Sequence, residues 1–138
     1  MQLHQPSVIQ AGGIAAGVAI LLGILTTMPL LPSFWLLLLG GIGGLLVPFA
    51  SGLGYGYLAP GEESISEGLV GGFLTGMVSG LISGTFYGLG TLFLSSDLSM
   101  VAKVTVGSAI GSAILGGLMG ALGGLVWPKI QTRFEGRR

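Results

Sequence analysis

Thr75, Ser79 and Ser83 are hydroxyl residues at a spacing of four, set in a long apolar stretch. On a helix such residues fall in one row. Their hydroxyls can bond back to the preceding turn or across to a neighbouring helix, which is the ordinary use. The functional use is a pore or polar groove for an uncharged solute. Other chemistry has little to stand on. His4 is the sole histidine, it precedes the apolar stretches, and cysteine is absent. Metal and haem ligation inside a membrane are therefore not expected, and His4 reads as a solvated terminal residue. A serine nucleophile needs a base, and none is placed to activate one. Ion or proton coupling draws on an ionisable group deep in a span. None occurs here, which also argues against small multidrug exporters. The glycines do not form a phosphate loop, since no Gly-Lys-Ser/Thr follows them. No cofactor and no enzymatic activity are expected.

The charged residues are few and segregated. They make up 7% of 138 residues, against about 25% in soluble domains. No Lys, Arg, Asp or Glu occurs before Glu62. Glu62, Glu63 and Glu67 form an acidic cluster, read as a solvated loop plus a helix cap, or else as a docking patch for a basic partner. Lys129, Arg133 and Arg137 share a spacing of four, and Arg138 adjoins them. They form a basic anchor for anionic lipid and for topology, worth ~1 kcal/mol per charge. Net charge is zero, so nucleic acid is not an expected partner.

The elements that position these groups are membrane spans. A charge at the bilayer centre costs ~3 kcal/mol or more, so long uncharged segments separated by charged loops indicate a polytopic protein. Four spans of a single membrane domain fit, at about 8–28, 34–58, 65–94 and 98–127, followed by a basic tail at 128–138. Each exceeds the roughly 20 apolar residues a span requires. The last two are longer than needed, which predicts tilt or a break near Gly88-Leu89-Gly90. The first span lacks a basic leader and is too long for a signal core, so it is expected to persist. Ser64-Ile65-Ser66-Glu67 predicts a capping box, and Ser96 or Asp97 a cap for the fourth span. Pro48 predicts a kink in the second. Lys and Arg concentrate in the tail, which predicts cytoplasmic termini and a cytoplasmic Glu62–Glu67 loop. Trp35 then belongs at the outer interface, and Tyr55, Tyr57 and Trp127 at the inner one.

The third span carries Gly68, Gly72, Gly76, Gly80, Gly84 and Gly88, six glycines at a strict spacing of four. Lipid tails are as apolar as leucine, so helices associate there through close packing, which glycine permits. The other spans carry small residues at the same spacing, among them Gly40 and Gly44 in the second and Gly116, Gly120 and Gly124 in the fourth. A glycine zipper is the expected packing mode. A spacing-four ridge drifts ~40° per step on a helix of 3.6 residues per turn. The third helix is therefore expected to be central and to meet different partners at different depths. Alanine at Gly80 is small enough to be absorbed, and leucine is not. Gly43-Gly44-Leu45-Leu46-Val47-Pro48 also matches Gly123-Gly124-Leu125-Val126-Trp127-Pro128, which would make two related hairpins.

With Glu67-Gly68, Gly71-Gly72 and Gly76 opening the third span, the chain resembles small glycine-rich four-span prokaryotic membrane proteins. These are mostly archaeal and classed as a domain of unknown function. The resemblance implies a four-span bundle and carries no catalytic residue across. The expected fold is an all-α four-transmembrane-helix bundle. The expected role is a structural or accessory subunit that contacts membrane lipid and packs with other membrane subunits or with itself. The alternative is a pore or transporter for a small neutral or lipophilic solute.

Overall fold

A computed structural model describes residues 3–26, 33–59 and 64–135. Within them the chain is helical apart from short connections. The helices are α1 (Gln5–Thr26), α2 (Ser33–Leu58), α3 (Ile65–Gly90) and α4 (Leu98–Glu135), and a 3₁₀ turn, Thr91–Phe93, extends α3. The segments Gln5–Thr26, Ile65–Phe93 and Leu98–Thr132 are long and apolar enough to cross a membrane. Trp35, Glu62, Glu63, Arg133, Arg137 and Arg138, assigned interfacial, acidic-loop or basic-anchor roles above, lie outside the described residues or side chains.

Local signals explain most helix ends. Ser64 is extended and its hydroxyl accepts the Glu67 amide, while the Glu67 carboxylate accepts the Ser64 amide at 3.2 Å. This is the expected capping box, and it satisfies two amides that the first turn leaves free. Asp97 caps α4 by accepting from the amides of Ser99 (2.9 Å) and Met100 (3.3 Å). The α-helical ladder of α3 stops at Gly90, where the expected break falls, and tightens into the 3₁₀ turn. Two boundaries differ from expectation. α1 begins at Gln5, with His4 accepting at its backbone carbonyl from Ser7 and Val8. α4 continues through Pro128 to Glu135. Proline removes the one bond to the Gly124 carbonyl, and the rest of the ladder carries the helix onward.

The pairings give an up-down-up-down bundle. Gly54 lies by Ala11 and Gly43 by Leu22, so α2 runs antiparallel to α1. Gly12 lies against Thr75 and Val78, and Gly23 against Tyr87, so α3 runs parallel to α1. Gly52 meets Gly120 and Gly56 meets Trp127, so α4 runs parallel to α2. The start of α1 and the end of α4 therefore share one end of the bundle. Tyr57 and Trp127 also meet there, edge to face at 5.9 Å.

α3 packs on all three other helices, as expected of a central helix, and α2 does too. α1 and α4 do not touch among the described residues. That asymmetry corrects the reading of two related hairpins. A two-fold axis would turn the α2–α3 contact into an α1–α4 contact. The register disagrees as well. With Gly52 seated between Gly120 and Gly124, Pro48 and Pro128 differ in depth by roughly ten residues, ~15 Å at 1.5 Å per residue.

The interior is inverted relative to a soluble protein. Every buried residue of α3 is Gly, Ser or Thr. Elsewhere among the described residues the buried apolar side chains are mostly alanines with a few valines, and Tyr55 is the largest. Large apolar side chains point outward, with Ile9, Ile14 and Leu21 each more than 60% exposed. Water would penalise that exterior, whereas lipid does not.

Candidate functional site

Two spacing-four rows run side by side on α3. The first, Gly68 to Gly88, faces α4 along its whole length. A methyl group at Gly76 would lie 2.6 Å from the Gly116 carbonyl carbon and 3.1 Å from the Gly120 Cα. At Gly80 it would meet the Ser112 carbonyl and lie 2.8 Å from the Ala113 nitrogen. At Gly84 it would be 2.9 Å from the Ala109 Cα, and at Gly88 it would meet the Thr105 backbone. Gly72 meets Gly120 and Gly124 in the same way. The contacts are reciprocal, for a methyl at Gly120 would lie 3.0 Å from the Gly76 Cα and one at Gly124 2.6 Å from the Gly68 carbonyl carbon. Ser108 adds a direct bridge by donating to the Gly84 carbonyl at 2.6 Å.

This corrects the expectation that the drifting ridge needs several partners. One helix follows it throughout, because α4 carries its own spacing-four row, Ser108, Ser112, Gly116, Gly120 and Gly124. Both rows drift in the same sense. A repeat longer than 3.6 residues winds a helix pair right-handed, and two such helices stay in register by wrapping around each other.

The second row is Gly71, Thr75, Ser79 and Ser83. Gly71 lies against the ring of Tyr55. Thr75 bonds back to the Gly71 carbonyl at 2.7 Å, and Ser83 to the Ser79 carbonyl at 2.8 Å. Ser79 is 1% exposed, and its hydroxyl has no hydrogen-bond partner among the described residues. Ser79 and Ser83 stand in the wall of a cavity of about 610 Å³, and Thr75 does not reach it. The cavity is bounded by the second half of α1, the first half of α2, the second half of α3 and the first half of α4. The described residues of its walls are uncharged and mostly apolar. Leu22, Leu45, Val47 and Leu115 supply hydrocarbon, and Ser108, Ser112 and Tyr87 supply hydroxyls.

α2 explains why the space exists. Beyond Pro48 it packs tightly, with Gly52 on Gly120, Tyr55 on Gly71 and Gly56 on Trp127. Before Pro48 it keeps to α1, with Gly43 by Leu22, and stands off the rest of the bundle, so that a methyl at Gly40, Gly41 or Gly44 would meet nothing within 4 Å. Gly40 and Gly44, expected to pack against a helix, line the cavity. Pro48 lacks the amide that would bond to Gly44, so it lies where α2 can leave the bundle. The packed half closes the cavity at its deep end.

Other expected residues fall elsewhere. His4 is half-buried, its Nδ1 2.7 Å from the Ser7 hydroxyl, rather than solvated at a free terminus. Lys129 is exposed beyond the cavity-free end. The sequence reading missed Tyr87, whose hydroxyl donates to the Ala19 carbonyl at 3.4 Å and whose ring covers Gly23. Ser108 and Ser112 were visible there as small residues, but nothing marked them as sharing a cavity wall with Ser79 and Ser83. Comparison of the chain with protein-family models, with curated proteins and with solved structures yields no match.

Proposed function

We propose that this chain is a four-span, glycine-zipper membrane bundle serving as a non-catalytic structural or accessory subunit of a larger membrane complex or homo-oligomer. The observation that carries this reading is the inverted interior: a buried seam of Gly, Ser and Thr within an exterior of large apolar side chains. Such a body is built to be held by lipid and by other helices. α2 is counted as the fourth span because it is 26 residues long, free of charge and antiparallel to α1. The resemblance to four-span prokaryotic proteins agrees with that count. Both termini are placed in the cytoplasm by the basic tail, which puts the cavity in the outer half. Purification from native membrane in mild detergent, with mass spectrometry of what accompanies the chain, tests this role. A stoichiometric membrane partner or a defined oligomer is expected. A lone monomer from crosslinked native membrane would overturn it.

The cavity favours one other reading, passage of a small neutral or lipophilic solute along Ser79 and Ser83. The closed deep half weighs against an open pore. Selective flux into liposomes that disappears in Ser79→Leu would establish transport over a purely structural role.

A further inference from the structure

We propose that the cavity is a binding site for one uncharged, mostly apolar molecule from the bilayer that carries a single hydrogen-bonding oxygen, as a long-chain alcohol does. The proposal takes the cavity in the second reading above and makes it a one-sided pocket. Three observations define the ligand class. Among the described residues the wall contains no Lys, Arg, Asp, Glu or His, so an ion would be desolvated without a counter-charge. Its hydrocarbon side, from Leu22, Leu45, Val47 and Leu115, suits an alkyl chain. Ser79 is 1% exposed with an unpartnered hydroxyl, and Ser112, in the adjoining α4 wall, has no hydrogen-bond partner among the described residues either. A buried hydroxyl without a partner is costly, and a ligand oxygen reaching this end of the cavity relieves that cost.

Size and access agree. About 610 Å³ lies in the range of small-molecule sites and far exceeds the ~30 Å³ of one water. Gly40, Gly41 and Gly44 present bare backbone to the space, so α2 leaves it unfilled although larger side chains would fit. That also supplies a clean means of blocking it. Leucine at Gly44 would enter the cavity without meeting the helix seam.

The test is photolabelling of the full-length protein in lipid with a diazirine derivative of octanol, read by mass spectrometry of the crosslinked residues. Labelling is expected at Leu22, Leu45 or Leu115, competed by octanol and poorly by octane. Gly44→Leu should abolish it at unchanged melting temperature. Ser79→Ala should weaken competition by octanol about fivefold, the worth of one neutral hydrogen bond. Gly41→Leu serves if Gly44→Leu fails to fold. Labelling confined to lipid-facing residues such as Ile14, equal competition by octane, or no response to Ser79→Ala would overturn the proposal. Solute flux without competable labelling would leave transport standing and remove this site. Competable labelling without flux would keep the site and remove transport.

Discussion

At Gly80 a single hydrogen atom decides how closely two helices approach. Alanine there was expected to be tolerated, since its methyl is small and it favours helix. The structure reverses that expectation, because the methyl would fall on the Ser112 carbonyl and within 2.8 Å of the Ala113 nitrogen. Backbone cannot swing aside as a flexible side chain does, so the helices must separate. Gly80→Ala should destabilise the protein by ~1–3 kcal/mol and Gly80→Leu by more, both seen as a lower melting temperature in detergent. Ile82→Leu, at an exposed position, should melt like the parent. Other glycines should behave in the opposite way. A methyl at Gly13 or Gly111 meets nothing within 4 Å. Gly13→Ala and Gly111→Ala should leave the melting temperature unchanged or raise it, up to the ~1 kcal/mol by which alanine exceeds glycine in helix propensity. If Gly80→Ala and Gly111→Ala melt alike, the seam does not hold the bundle. Ser108→Ala removes the bridge to Gly84 and should cost ~0.6 kcal/mol, the average for hydrogen bonds between membrane helices, and at most ~1.7 kcal/mol.

Helix starts were readable because their determinants are local. The Ser64–Glu67 box and the Asp97 cap each lie within four residues of the amides they serve. Ser64→Ala should cost ~1 kcal/mol and speed hydrogen exchange in the first turn of α3 without altering the α3–α4 seam. Unchanged exchange there would show that the turn is held by packing and not by its cap. Helix ends were less readable. Pro128 carries a strong local stop signal, yet α4 passes through it, because one missing donor does not end a helix whose other bonds are intact. Pro48 carries the same signal, and its consequence is tertiary. It divides α2 into a half that packs on Gly71, Gly120 and Trp127 and a half that borders the cavity.

For the molecule as a whole, the basic tail predicts which end faces the cytoplasm. Single cysteines at Gln2, Ser64, Ser96 and Gly136 can be probed with an impermeant thiol reagent on intact cells. Only the one at Ser96 should react, and reaction at Ser64 or Gly136 would invert the topology. By itself the sequence determined the all-helical class, the membrane-like pattern of apolar segments, four helix starts to within three residues and the small-residue rows at spacing four. These follow from periodicity, capping and the cost of burying charge, all of which act over one helical turn or through composition. Which row faces which helix was decided by tertiary structure. The ridge from Gly68 to Gly88 could have been shared among several helices. It meets α4 alone because α4 carries a row with the same drift, and mutual fit is a property of two segments together. The cavity was hidden for the same reason. Ser79 reads like Thr75 and Ser83 along the chain, and only the standing-off of α2 before Pro48 puts it in the wall of a cavity, its hydroxyl unpartnered among the described residues.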